Sequence, residues 1–183
     1  LLEAQTVAAQ ASGLSGGHSL RGFQAGMDKV EQLAGRDHAA ALWQLSVEAR
    51  ALIEQRIARH GIDCEFRSGY LLAALSAEDH DEQKQEAQTF ARYGEDLQIL
   101  DRAQTAQHVV SPRYVGSLLQ PSGGRLNPLK YTLGLARAAQ AAGAQLYGRS
   151  PVLALQPVAG GTLLRLAQAE VTASFVVLAA GAY

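Results

Sequence analysis

Residues 1–18 read LLEAQTVAAQASGLSGGH. Two leucines precede one acid, Glu3, and residues 4–18 contain no lysine, arginine, aspartate or glutamate. An acid at the end of an apolar stub has a known use. In dinucleotide-binding folds the second strand ends in a carboxylate that accepts hydrogen bonds from ribose hydroxyls, and ligands gather at the carboxyl ends of the strands. Behind it, small residues and the pair Gly16-Gly17 let the backbone approach a flat or phosphorylated ligand and offer bare amide donors. The same features suit a strand end meeting water and an ordinary loop. Residue chemistry alone leaves both readings open.

Working outward, Asp37 to His60 has apolar residues at three- and four-residue steps: Leu42, Leu45, Ala49, Leu52, Ile53 and Ile57. This spacing predicts one long helix with that stripe inward, stopped by His60-Gly61. Asp63 to Leu75 reads as a strand, Ser76 to Tyr93 as a capped and solvated helix, and LQIL as a short strand. Arg102 to His108 reads as a short helix. YVGSLLQ is expected to be a strand ended by the Pro121-Ser122-Gly123-Gly124 turn. Asn127-Pro128 starts a helix expected to run to Ala142 and stop at Gly143. Short strands are expected at 145–147, 152–156, 162–167 and 171–172, with PVAGG as a hairpin loop. SFVVLAAGAY reads as a continuous apolar strand of the kind buried in a parallel sheet. Mixed helix and strand of this kind implies an α/β sheet domain with an inserted, mainly antiparallel piece.

The chain has 183 residues, a formal net charge of −1 and 48% hydrophobic residues, so a packed core is expected. The charge gives no electrostatic case for nucleic acid or an anionic membrane. The longest apolar run is far short of a bilayer span. Cys64 is the only cysteine, which excludes an internal disulfide and suits a reducing, cytoplasmic setting. It is expected to be a buried, inert thiol. His38, His60 and His80 are expected at the surface, and His108 at a helix end. No histidine, cysteine or carboxylate spacing suggests a metal site. Arg125 is read as structural, and no catalytic acid or base stands out.

The opening stretch resembles the second flavin-binding segment of the D-amino acid oxidase-like FAD-dependent oxidoreductases. The resemblance continues through RHGIDCEFRSGYLLAAL, GGRLNPLKYTLGLARAAQAAGAQLYGRSPVLALQ and ASFVVLAAGAY, in order and spacing. Within that superfamily the chain most resembles the γ-glutamylputrescine oxidoreductase-like branch, which implies a place in putrescine catabolism. The fold implied is an FAD/NAD(P)-binding, Rossmann-like parallel sheet domain carrying an antiparallel substrate-domain segment. Residues 1–61 and 127–183 would belong to the FAD domain and 62–126 to the substrate side.

Residue by residue, the resemblance implies that Glu3 holds the adenosine ribose, with Ala4 at the adenine–ribose edge. Ala11 and Ser12 would face the pyrophosphate and ribityl region. Gly16, Gly17 and His18 would lie along the isoalloxazine ring. Val152 would pair its backbone with adenine, and Ala179, Ala180 and Gly181 would end the strand beneath the cofactor. The implied cofactor is FAD, the substrate a small amine or amino acid oxidised at its C–N bond, and the electron acceptor oxygen. The family's Gly-x-Gly-x-x-Gly unit is absent and the family continues past Tyr183. The chain is therefore expected to be an internal part of a longer enzyme. Two other readings use the same residues: a fold fragment that binds no cofactor, and an NAD-dependent dehydrogenase, which explains the Ala-Ser-Gly to Gly-Gly-His loop less well.

Overall fold

The computed structural model describes residues 1–181. Ala182 and Tyr183, the end of the expected last strand, lie outside the described residues. In chain order the elements are α1 (Ala11–Leu14), β1 (His18–Ser19), α2 (Met27–Ala34), α3 (Arg36–His60), β2 (Arg67–Ala74), α4 (Ala77–Ala91), β3 (Gln98–Asp101), α5 (Arg102–Thr105), β4 (Gly116–Arg125), α6 (Pro128–Ala141), β5 (Ala154–Val158), β6 (Gly161–Arg165) and β7 (Glu170–Ala173).

The helix ends follow local chemistry. The α3 helix stops at Gly61, which takes the left-handed conformation that glycine adopts without a Cβ penalty. Ser76 and Asp79 form a reciprocal capping box on α4, and the Asn127 side chain accepts the Lys130 amide at the start of α6.

The buried face of α3 is not the expected stripe. Its buried residues are Ala39, Trp43 and Arg50, whereas Leu45 is 58% and Leu52 41% exposed. The helix turns the Trp43 side inward because α2 and α4 supply partners there. Met27, Ala39, Trp43 and Phe90 form the core cluster, with Val30, Val47, Tyr93 and Leu97 packed around it. Trp43 meets Phe90 edge-on at 5.2 Å between ring centroids, a favoured aromatic geometry. Polar contacts close the α2–α4 seam. The Thr89 hydroxyl donates to Asp28 at 2.8 Å, Arg92 Nη2 donates to Asp28 at 2.5 Å, and the Tyr93 hydroxyl donates to Glu31 at 2.9 Å.

One antiparallel sheet is built on β4. Strand β2 pairs along one edge, from Ala74↔Gly116 to Arg67↔Arg125. The other edge is shared by β3, opposite residues 116–119, and β1, opposite 124–125. The expected Pro-Ser-Gly-Gly turn is therefore part of a strand. It survives there because the ladder is interrupted at that point. Pairing jumps from Tyr70↔Gln120 to Ser68↔Gly124, so Pro121, Ser122 and Gly123 bulge opposite Gly69, whose φ is +88°. No neighbour asks Pro121 for an amide, which is where a sheet tolerates proline.

A second sheet, order β5-β6-β7, is an antiparallel meander whose first hairpin turns at Ala159-Gly160. The expected strand at 145–147 is reduced to a bridge, Leu2↔Tyr147, and that bridge is parallel. Residues 174–181 are not a strand. Phe175, Val177 and Leu178 are 92%, 87% and 75% exposed, because among the described residues nothing pairs with them or covers them. His80 also departs from expectation. Its ring packs against Gly116, and its buried Nε2 has no partner among the described residues. Cys64 is buried at 1% exposure, and burial pushes its thiol pKa up.

Two outcomes follow from this packing. A Cβ on Gly134 would stand 2.4 Å from Ile62 Cγ2. Gly134→Val should therefore cost about 1–3 kcal/mol in urea unfolding by separating α6 from the end of α3. The second outcome concerns acid. The Thr89 and Arg92 side chains hold the Asp28 carboxyl below the usual range, Lys130 does so for Glu65, the Leu75 amide and Ser76 for Asp79, and Lys84 for Asp81. Lowered carboxyl pKa values add stability above the unfolded value of about 4 and lose it as pH falls through the folded values. Partial desolvation raises Glu86, a surface residue of α4, and acts weakly in the opposite sense. With four lowered groups against one raised, the unfolding midpoint should be level near neutrality and drop below about pH 4.

Candidate functional site

Leu1 to Gln5 lies alongside residues 145–150. The Leu1 nitrogen donates to Gln145 O at 2.8 Å, and Tyr147 N donates to Leu1 O at 3.0 Å. Glu3 N donates to Tyr147 O at 2.9 Å, Ser150 N to Glu3 O at 2.8 Å, and Arg149 N to Gln5 O at 2.6 Å. The first three bonds alternate as in a parallel pairing, and the last two leave that register. The pairing follows α6, so the chain supplies a helix and then a parallel partner for its own first residues. Arg149 takes a positive φ of 54° there and Gly148 approaches Gln5 O closely, which ends the pairing.

Glu3 therefore stands at the carboxyl end of a parallel segment, half-buried. Its Oε1 accepts the Gln5 amide at 2.9 Å, and among the described residues Oε2 has no partner. The Gln5 side chain in turn accepts from Gln10 at 2.8 Å, which ties the acid to the residue before α1. Ala4, Ala11 and Ser12 are exposed and present nothing larger than a hydroxymethyl group. α1 packs on α6, where Thr132 Oγ1 donates to Ser12 O at 3.4 Å.

The next part of the loop is anchored just ahead of the same helix. Gly17 is buried, with φ +69°, and its carbonyl accepts the Leu126 amide at 2.9 Å. A Cβ here would lie 2.0 Å from Leu126 O, so backbone meets backbone where no side chain fits. Gly16 is exposed, with only the His18 ring near its missing Cβ. His18 opens β1 opposite Arg125, and its ring lies 5.0 Å from that of Tyr70.

Glu3, Ala4, Ala11, Ser12, Gly16, Gly17 and His18 are thus arrayed along α6 and the segments flanking it. Val152 follows the Glu3 contact by two residues and is 39% exposed, just before Leu153 N donates to Arg165 O. Ala179, Ala180 and Gly181 are exposed, and no backbone hydrogen bond joins them to the other described residues. Small residues and close backbone lie beside a carboxylate oxygen that has no partner among the described residues. Among the described residues no group of histidine, cysteine and carboxylate side chains suits a metal ion, and no helix is long and apolar enough to cross a membrane.

Sequence reasoning missed the polar groups that hold this region. Glu95 is 4% exposed. It accepts from Arg21 Nη1 at 2.7 Å, from the Ser122 hydroxyl, and from Gln120 Nε2 at 3.5 Å. Arg50, 5% exposed, donates from Nε to Ser19 O at 3.1 Å. Nothing local in the sequence separates these two from surface charges.

The family described as FAD dependent oxidoreductase (DAO) matches residues 1–183. Probable oxidoreductase OrdL of Haemophilus influenzae is 35% identical over all of this chain and 43% of its own length. Gamma-glutamylputrescine oxidoreductase of Escherichia coli is 33% identical over the same shares. The chain thus spans less than half the length of these curated relatives. Glycine oxidase from Geobacillus kaustophilus superposes with a TM-score of 0.72 at 22% identity, over 94% of this chain and 46% of that one. That likeness shows the α/β fold of flavin-dependent oxidases.

Gly17 gives the direct test of the loop geometry. Gly17→Ala should lower stability by about 1–3 kcal/mol in urea unfolding, because alanine has neither the room nor the conformation. Gly26→Ala provides the comparison, since that glycine also has positive φ but open space around it, and it should cost less.

Proposed function

This chain belongs to the FAD dependent oxidoreductase family, and we propose that the protein binds FAD along the surface from Glu3 to His18 and oxidises the C–N bond of a small amine or amino acid. The observation that carries the reading is Glu3, at the end of a parallel segment with one carboxylate oxygen unpaired among the described residues, in a chain matched by the family along its whole length. The residues fit the group. Glu3 Oε2 has the chemistry to accept a ribose hydroxyl, with Ala4 beside it. Ala11 and Ser12 leave room for the pyrophosphate and ribityl parts. Gly16, Gly17 and His18 would follow the ring edge. Val152 and Ala179 to Gly181 complete the proposed set.

When bound, the flavin would supply the two-electron oxidant that takes the amine C–N bond to the imine level. The work left to this chain is binding, orientation and exclusion of bulky groups from the approach. Residues 1–61 and 127–183 are read as FAD-domain segments and 62–126 as a substrate-side segment. The substrate class is a primary or secondary amine or amino acid. The relationship to the Escherichia coli enzyme favours a γ-glutamylputrescine-like amine, with imine hydrolysis to a carbonyl product and oxygen as electron acceptor.

Glu3→Gln should weaken FAD binding about tenfold in a fluorescence titration, through loss of a charge-assisted hydrogen bond. Anaerobic mixing of the FAD-loaded protein with a panel of amines should bleach the flavin band, most strongly with γ-glutamylputrescine. An unchanged FAD affinity in the variant, or tighter binding of NADH than of FAD, would overturn the site; bleaching by no amine would overturn the substrate class.

A further inference from the structure

We infer that Arg50 is a positioning residue for the segment Gly16 to Ser19, acting through the backbone rather than by touching the cofactor; the inference rests on the flavin reading above. Arg50 lies in α3 and is 5% exposed. An arginine this deep is ordinarily matched by a buried carboxylate. Among the described residues the carboxylate that pairs with it is Glu54, 2.8 Å from Nη1 and itself 52% exposed. Among the described residues Nη1 has that ion pair but no hydrogen-bond partner, and two other donors reach main-chain carbonyls, Nε to Ser19 O at 3.1 Å and Nη2 to Gly123 O at 3.5 Å. Its Cζ lies 4.8 Å from the centroid of the Phe66 ring, so stacking fixes the plane of the fork.

The two carbonyls are the informative part. Ser19 is the last residue of β1, and Gly123 is the last bulged residue of β4 before pairing resumes at Gly124. One planar group therefore joins α3 to both strands at the point where they begin to pair. The next contact along that pair is His18↔Arg125, and the one after is the Leu126 amide on Gly17 O. The site has no slack. A Cβ on Gly124 would stand 2.8 Å from Arg67 O and 3.1 Å from Arg50 Nη2. Fixing Ser19 thus fixes the register and depth of Gly16, Gly17 and His18, the residues proposed to lie along the ring. Lysine carries the charge but has neither the fork nor the stacking plane.

The test uses the full chain with R50K and R50M, and E54Q as the control that leaves the backbone contacts intact. Hydrogen exchange should become about tenfold faster at the Gly17–Ser19 and Gly124–Leu126 amides in R50K, while the Trp43 cluster exchanges as before. In the FAD-loaded protein R50K should also change the shape of the flavin visible band and its midpoint potential, and E54Q should change neither. If R50M fails to fold, R50K carries the test, since it keeps the stem and the charge. Wild-type exchange at those amides in R50K, or faster exchange spread evenly over the chain, overturns the inference. An altered flavin band in R50K with unaltered exchange would also overturn it, since Arg50 would then act by contact. If the wild-type protein takes up no FAD but the local exchange effect appears, the backbone clamp stands and the cofactor reading falls.

Discussion

The sheet on β4 depends on a strand that is broken in its middle. β4 is the strand to which β1, β2 and β3 all pair, yet Pro121 to Gly123 leave the ladder. Backbone and hydroxyl groups freed by a bulge inside a protein must find partners or carry a desolvation cost. Two buried charges do this. Glu95 accepts the Ser122 hydroxyl, and Arg50 donates to Gly123 O. Neither is held by a buried partner of opposite charge alone: Arg21 beside Glu95 is 30% exposed, and Glu54 beside Arg50 is 52% exposed. Arg50 divides its interactions between an ion pair and main-chain carbonyls, while Glu95 accepts from the Arg21, Ser122 and Gln120 side chains, so both anchor the strand as well as an ion pair.

That anchoring links the helical core to the candidate site. Trp43 and Arg50 sit two turns apart on α3. The first fills the cluster with Phe90, and the second reaches Ser19. Gly22 lies between these regions, with its missing Cβ 3.2 Å from the Phe90 ring and its amide donating to Ser46 Oγ at 3.0 Å. The segment from Gly17 to Gly22 is therefore gripped at both ends, by Leu126 and by α3. Before it, Ser15 and Gly16 stay exposed and small.

Helix boundaries were legible in the sequence because their chemistry is local. His60-Gly61, Ser76 and Asn127-Pro128 act within a few residues of themselves, and the structure keeps each as a cap or stop. The family, and with it the fold class, was legible from the Glu3 to His18 stretch. The places where the reading departed from the structure are set by partners distant in sequence. Leu45 and Leu52 have the periodicity of a core face, but α2 and α4 cover the Trp43 side instead. Pro121-Ser122-Gly123-Gly124 has the composition of a turn, and only the absence of a ladder partner opposite Pro121 makes it strand. The apolar run 175–181 reads as a buried strand, yet burial needs neighbours that the described residues do not supply. Arg50 and Glu95 look like any surface charges, because apart from Glu54 their partners lie between 25 and 74 residues away in sequence.

The account stands or falls on whether the edge from Glu3 to His18 is where the cofactor lies. A crystal structure of the FAD-bound protein tests this most directly. The account predicts the Glu3 carboxylate within hydrogen-bond distance of the adenosine ribose hydroxyls, and the Gly16–His18 backbone running along the isoalloxazine ring with Gly17 O still accepting the Leu126 amide. A dinucleotide seated elsewhere, or a ribose with Glu3 turned away to solvent, would contradict it.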